Sequence, residues 1–175
     1  MLQQKDLSVK MSKDIDEMEK MLNDYLQFAK TQTQEKTSKI SLLELFNTIR
    51  DRLNNNKLKI INSNKDKIEL NGRPIALIRS FENIIQNGLT YGNNVFIDIQ
   101  KGNNRALITI EDDGPGIPED QYTNVFKPFF RLDESRSLNQ AGVGLGLAIV
   151  EDIINSHGGI IQLGKSKHNG LQVKI

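Results

Sequence analysis

The sequence predicts an α+β domain preceded by one long helix. Three observations carry that reading. Helix-period apolar patterns begin near Ser41, Ile75 and Leu145. Around them stand six short strand-like runs, KLKII, KIEL, VFIDIQ, RALITIED, GIIQL and LQVKI. Ahead of all of these, residues 7 to 29 hold a regular apolar seam with charged residues between.

The bulk composition narrows the field. A chain of 175 residues fits one domain with an appendage, and 37% hydrophobic content supplies one sizeable core. With 23 basic and 22 acidic residues the net charge is +1, which gives no electrostatic case for nucleic acid or an anionic membrane. No cysteine is present, so disulfide and thiolate chemistry are excluded. Two histidines, His157 and His168, are too few for a histidine-rich metal site. No apolar run reaches the ~20 residues of a membrane span. The opening MLQQKDLSVK lacks the apolar core of a signal peptide. The expectation is a soluble, cytoplasmic stretch of protein.

Leu7 to Ala29 reads as one helix. Met11, Ile15, Met18, Leu22, Tyr25 and Ala29 follow alternating steps of four and three, a heptad seam widened by Met21, Leu26 and Phe28. Such a helix either packs on its own domain or pairs with a second copy. The regular seam and the polar linker from Lys30 to Lys39 favour pairing.

Ser41 and Glu44 form a capping box for a second helix, with Leu42, Leu45, Phe46, Ile49 and Leu53 on its buried face. Asn54 to Asn56 end it. KLKII and KIEL follow as strands, Asn71-Gly72 reads as a turn, and Pro74 opens a third helix. That helix, Ile75 to about Tyr91, shows an apolar face of Ile75, Ile78, Phe81, Ile85 and Leu89. Asn83 and Asn87 share another face, flanked by Arg79 and Thr90. Their carboxamides either face solvent or help to hold Mg²⁺ beside phosphates.

The strand RALITIED runs into Asp112-Asp113-Gly114-Pro115-Gly116-Ile117-Pro118. A carboxylate there can accept a hydrogen bond from a ligand amine such as adenine N6; a tight turn with a solvated acidic lip fits the spacing equally. Asn124 to Arg136 mixes Phe126, Phe129 and Phe130 with Lys127, Arg131 and Arg136. This suits a lid whose cations reach phosphate, or a loop simply pinned by its phenylalanines. Ser135 to Ala141 is polar and expected to be disordered without ligand.

In AGVGLGLAIV, Ala141 to Val150, Gly142, Gly144 and Gly146 alternate just before an apolar helix. Bare backbone lets a ligand approach closely. The free N–H groups and dipole of the helix favour an anion, by ~0.3–1 kcal/mol at an exposed site. A phosphate chain is the expected anion, and an ordinary turn is the alternative. The helix, about Leu145 to Ser156, is capped by His157-Gly158-Gly159.

Together these segments resemble the ATP-binding catalytic domain of sensor histidine kinases, in the superfamily shared with gyrase, Hsp90 and the mismatch-repair ATPases. FENIIQNGLTYG resembles the N box, EDDGPGIP the first glycine box, FKPFFR the phenylalanine box and GVGLGLAIV the second glycine box. SHGG after the last helix also fits. The likeness covers Ser41 to Ile175 and is nearest to osmosensor-type kinases.

The resemblance implies a two-layer α/β sandwich of the Bergerat type, a mixed sheet backed by three helices. It implies residues 35–175 as the catalytic domain and residues 1–34 as the second helix of the dimerisation and phosphoacceptor hairpin. Asp112 would bind the adenine amino group, with Gly114, Gly116 and Ile117 shaping the pocket. Asn87 would hold Mg²⁺, Asn83 would help at the phosphates, and Tyr91 would border the nucleotide. Lys127 and Arg131 would approach the phosphates from the lid. Gly142, Val143, Gly144, Leu145, Gly146 and Leu147 would form the phosphate loop and helix start. The implied cofactors are ATP and Mg²⁺. The implied partners are a second copy, the kinase's own phosphoacceptor domain and a response regulator, with the parent protein anchored in the inner membrane.

Hydrolysing members of the superfamily carry a glutamate one turn before the metal-binding asparagine. Asn83 stands there, and Glu82 is rotated ~100° away at 3.6 residues per turn. This favours transfer to a histidine over hydrolysis, and disfavours serine kinases of the anti-sigma type. A nucleotide-binding module without chemistry is the alternative, on three departures. The family's H-E-L-R-T-P motif is absent, so no phosphoacceptor histidine is present. Thr90 replaces a usual basic residue, and Gly88 a usual alanine, at ~1 kcal/mol of helix stability. A Rossmann site fits poorly, because the glycines run G-x-G-x-G with no strand leading into them.

Overall fold

The computed structural model describes residues 35–54, 56–62, 67–103, 105–132 and 144–175, with Met11, Ser12, Ile15, Met18, Glu19 and Leu22. Those six are helical, and the seam positions Met11, Ile15, Met18 and Leu22 are exposed. The remaining seam residues lie outside the described residues, as do the expected disorder of the stretch up to Ala141 and Arg136, Gly142 and Val143.

Strand β1 (Ser38–Ser41) leads straight into helix α1 (Leu42–Leu53). Ser41 Oγ accepts the Glu44 N–H at 3.5 Å, which is the expected cap. Asn54 in the left-handed region, φ 43°, ends the helix. Strands β2 (Leu58–Asn62) and β3 (Glu69–Gly72) follow, then helix α2 (Pro74–Tyr91). Strands β4 (Val95–Gly102) and β5 (Arg105–Asp112) form a hairpin. Two short 3-10 turns, Glu119–Gln121 and Asn124–Phe126, precede helix α3 (Gly146–Ser156). Strands β6 (Gln162–Lys165) and β7 (Leu171–Lys174) close the chain.

The main sheet has the order β2-β4-β5-β7-β6, with β2 parallel to β4 and every other pair antiparallel. It is the mixed sheet expected. Val95, Ile97, Ile99, Ile108, Ile110 and Val173 bury one face of it. Leu42, Phe46 and Ile49 of α1, Phe81 and Ile85 of α2, and Val150 and Ile153 of α3 cover that face in one continuous core. Phe46 and Phe81 pack with ring centroids 4.7 Å apart. Burying apolar surface at ~25 cal/mol per Å² is what joins the two layers.

Three local readings are corrected. Asn71-Gly72 is not a turn: both residues lie in β3, paired antiparallel with β1 from Ser38↔Gly72 to Ser41↔Glu69. A Cβ on Gly72 would meet Leu77 Cδ1 at 2.8 Å, so the glycine serves close packing rather than chain reversal. On α2 the buried stripe is Ala76, Leu77, Ser80, Phe81, Ile84, Ile85 and Gly88, while Ile75 is 62% exposed. The helix packs against the sheet and against both neighbouring helices, which widens and rotates its buried face. In the lid segment, Val125 is the buried side chain and Phe129 is 60% exposed, so not every phenylalanine is an anchor.

Candidate nucleotide site

Four stretches far apart in sequence meet at one corner of the sandwich. Strand β5, the central strand of the main sheet, ends at Asp112, which pairing with Val95 of β4 holds beside α2. Asp112 Oδ1 accepts the N–H of Gly114 at 2.9 Å and the N–H of Leu171 at 3.1 Å. Among the described residues no donor reaches Oδ2. Burial raises the Asp112 carboxyl above its ordinary 3.8; the Gly114 and Leu171 amides pull it down, and Asp113 adds to the rise. The group therefore lacks a partner that a ligand could supply.

Helix α2 brings Gly88 against this carboxylate. A Cβ on Gly88 would lie 2.7 Å from Val95 Cγ2 and 3.3 Å from Asp112 Cβ. The departure from alanine at this position is thus a packing requirement here, not only a helix-propensity loss. On the β7 side Gly170 is equally tight, because a Cβ there would overlap Asp112 Oδ1. A cavity of about 20 Å³ lies between, lined by Ile84, Asn87, Gly88, Asp112, Leu147 and Leu171 among others. It holds about one water and can take only the edge of a ring.

One turn along α2, Asn83 and Asn87 face the start of α3. A Cβ built on Gly146 would stand 3.9 Å from Asn83 Cγ and 3.9 Å from Asn87 Nδ2. So both carboxamides lie beside the first turn of α3, whose first N–H groups have no intrahelical partner. Leu145 is buried under that turn, and Leu147 lines the cavity. Gly144 has φ +80°, and its carbonyl accepts the Phe129 N–H at 2.9 Å. A Cβ on Gly144 would strike the Phe130 carbonyl at 2.8 Å, so only glycine fits both the backbone and the space. The phenylalanine segment and the glycine loop are thereby tied together.

The loop after Asp112 is also fixed. Asp113 accepts the N–H groups of Asn93 and Asn94 at 2.6 and 2.8 Å and the Asn94 side-chain amide at 2.7 Å. The Asn94 side chain above all lowers the Asp113 carboxyl to about 2. Gly114 lies under the Tyr91 carbonyl, and Gly116 lies over Gly170. The Tyr91 side chain is 42% exposed at the rim. Behind the site, Glu111 accepts from the Lys167 N–H at 3.1 Å and from Gln172 at 3.0 Å. Burial pushes that carboxyl up, but these donors and the Lys167 ammonium leave it below its ordinary value.

Of the expected site residues, the structure gathers Asn83, Asn87, Asp112, Gly114, Gly144, Leu145, Gly146 and Leu147, with Tyr91 and Gly116 around them; Ile117 follows Gly116 in the same loop, half-buried. It does not bring Lys127 to this cavity. Lys127 Nζ donates to Asn124 Oδ1 at 2.7 Å and lines a separate groove of about 700 Å³ with Phe126 and Glu151. Arg131 stands half-buried two residues past Phe129. The roles of Leu171, Gly170 and Val95 are not legible in the sequence, since nothing local says what lies opposite them.

Comparison with known proteins gives the family of this domain. The family described as "Histidine kinase-, DNA gyrase B-, and HSP90-like ATPase" matches residues 72–175. The chain belongs to that family, so the expected resemblance holds. Among its relatives is the sensor histidine kinase GtrS of Pseudomonas aeruginosa, 30% identical over 177 residues, covering 100% of this chain and 36% of that protein. The sensor histidine kinase CpxA of Escherichia coli K12 is 38% identical over 107 residues, covering 61% of this chain and 23% of that one. The histidine kinase domain of the E. coli osmosensor EnvZ matches with TM-score 0.61 and 31% identity, over 81% of this chain and 89% of that structure. The matched region is an ATP-binding catalytic domain of the histidine kinase superfamily, and the chain spans about a third or less of the curated sensor kinases it resembles.

Proposed function

We propose that this domain binds Mg-ATP and transfers its γ-phosphate to a histidine outside this chain. The open Oδ2 of Asp112 at the floor of an apolar cavity carries the reading. A half-buried carboxylate with one oxygen saturated by backbone and the other free suits the exocyclic amine of adenine. Ile84 and Leu147 offer apolar surface to the ring. The start of α3, with Gly144 and Gly146, receives the phosphates on backbone N–H groups.

The residues present also fit a magnesium ion. Asn87 would hold it through its carboxamide oxygen beside the phosphates, with Asn83 next to it, and the ion would supply neutralising charge. These side chains orient the phosphate chain. Transfer then depends on position more than on a base. Glu82 supports transfer over hydrolysis: its Oε1 accepts from Arg52 Nη1 of α1 at 3.4 Å, which turns it from the Asn83 and Asn87 face. Thr90 Oγ1 donates to the Gln86 carbonyl at 2.7 Å and supplies no cation. Replacing it with lysine is expected to raise the transfer rate.

The same reading assigns residues 35–175 to the catalytic domain and residues 1–34 to the dimerisation hairpin. The exposed seam of Met11, Ile15, Met18 and Leu22 supports pairing with a second copy. The described residues include no helix long and apolar enough to cross a membrane. A response regulator as the final acceptor, and a membrane-anchored parent with this portion in the cytoplasm, follow from the kinship with sensor kinases.

The test supplies the missing acceptor. The chain is mixed with a phosphoacceptor hairpin from a related kinase, Mg²⁺ and γ-labelled ATP. Acid-labile label on the hairpin histidine is expected. No label on several hairpins, with ATP binding measured in the same samples, would contradict transfer and leave a binding module.

A further inference from the structure

The start of α2 lacks a cap of its own. Its N-cap residue is Arg73, whose side chain does not cap it, and its first turn holds no acidic residue. Pro74 has no N–H, and the Leu77 N–H already reaches the Arg73 carbonyl at 3.0 Å. Three donors therefore remain, on Arg73, Ile75 and Ala76. All three are satisfied from elsewhere in the chain.

The Ile75 and Ala76 N–H groups donate to the two carboxylate oxygens of Glu35, at 2.5 and 3.0 Å. The Arg73 N–H donates to His157 Nε2 at 3.0 Å. That bond leaves the proton on Nδ1, which donates to the Ile153 carbonyl at 2.7 Å. Arg73 Nη2 also donates to Ser156 Oγ at 2.6 Å. The C-terminal end of α3 is thus pinned to the N-terminal end of α2, and Glu35 is pinned to both through α2.

Glu35 is 40 residues upstream of Ile75 and stands just ahead of β1. After it, β1 is laddered to β3, and Lys39 and Lys67 hold Glu69 at 2.6 and 3.0 Å. The ladder begins only at Ser38, so Glu35 is an anchor set ahead of it. A serine or aspartate at the N-cap would serve helix stability as well. Drawing the cap from the incoming segment does something more: it couples that segment to α2. Helix α2 is 18 residues, ~27 Å at 1.5 Å per residue, and its far half carries Asn83 and Asn87 beside the start of α3. A rotation allowed at the Glu35 end is carried down both helices to the phosphate end.

We propose that Glu35 is a positioning residue: its carboxylate clamps the incoming segment to the start of α2 and sets the attitude of the nucleotide site relative to the N-terminal helix. The proposal rests on the functional reading only for what the site does. The clamp itself is tested independently.

The absence of cysteine allows clean labelling. Spin labels are placed at Glu19→Cys, on the N-terminal helix, and Lys101→Cys, on β4, both exposed. The labelled chain is diluted with unlabelled chain so that only distances within one chain are read. A single narrow distance distribution is expected in the parent. Glu35→Ala should widen it at least twofold, and Glu35→Gln, which keeps one acceptor, should widen it less. Amide exchange at Ile75 and Ala76 should accelerate at least tenfold in Glu35→Ala, while ATP affinity stays within twofold.

Faster exchange with an unchanged distance distribution would overturn the proposal and leave Glu35 as a simple cap. A distribution already broad in the parent would overturn it as well. If the parent fails to bind ATP, the functional reading falls, while the distance result still decides the clamp.

Discussion

The Leu171 amide donates to Asp112 Oδ1 at 3.1 Å across 59 residues of chain. Together with the Gly114 amide it saturates one carboxylate oxygen and directs the other to the cavity. Asp112→Asn separates the two oxygens' roles, because the amide keeps Oδ1 as an acceptor and turns Oδ2 into a donor. The variant is expected to fold with an unchanged or slightly higher Tm. Its ATP affinity should fall about 10- to 150-fold, from ~1.5–3 kcal/mol for a hydrogen bond to a charged group. Titration calorimetry beside thermal unfolding reads both, and unchanged affinity would count against the assignment.

The same carboxylate sets a pH dependence. Its folded value is raised above 3.8, chiefly by burial. Its contribution to stability is therefore fully present below 3.8 and is lost as pH rises through the folded value. At neutral pH the ionised group opposes folding of the nucleotide-free domain, which is why asparagine should not destabilise it. Nucleotide binding needs the ionised acceptor, so affinity should decline in acid with a midpoint above 3.8. In Asp112→Asn the decline should become shallower, leaving only what the nucleotide's own phosphates contribute; if it persists unchanged, Asp112 is not the group that titrates.

Gly88→Ala sets two effects against each other. Alanine favours the helix by ~1 kcal/mol. Its Cβ would meet Val95 Cγ2 at 2.7 Å, and overpacking costs ~1–3 kcal/mol. A net destabilisation of up to ~2 kcal/mol is expected, with weaker ATP binding as Asp112 shifts. Adding Val95→Ala should recover part of the loss, a coupling of ~0.5–3 kcal/mol in a double-mutant cycle by chemical denaturation. Strict additivity would mean that the two residues do not press on each other.

Asp113 titrates in the opposite sense. Its carboxyl is lowered to about 2 by Asn94 and Asn93. The stability it contributes is present above 3.8 and is lost as pH falls through about 2. Asp113→Ala should lower Tm clearly at pH 6 and by much less near pH 2. An equal difference at both would show that the clamp on Asn93 and Asn94 does not depend on charge.

Much of this architecture is legible locally. Ser41 and Pro74 mark helix starts through chemistry that acts within a few residues, and the alternation in β4 and β5 reads directly as one buried face. The β1 strand is not legible, because SKIS is short and polar and its partner lies 30 residues downstream. The orientation of α2 escapes for a similar reason: its apolar residues do not say that three neighbours share them, so the sequence pattern alone puts Ile75 inside. In the site, Asp112, Asn87 and Gly146 are readable because each needs a particular side chain or none. Leu171 contributes only its backbone N–H, which any residue but proline could offer. Glu35 reads as one more linker charge until its distance to Ile75 is seen.

The most direct measurement compares two nucleotides on one protein. ATP and purine riboside triphosphate differ only in the exocyclic amine that Asp112 Oδ2 is assigned to receive. In the presence of Mg²⁺ the parent chain is expected to bind ATP at least about tenfold more tightly, and Asp112→Asn should bind the two alike. Equal affinity of the parent chain for both would contradict the placement of adenine against Asp112, and with it the central reading of this site.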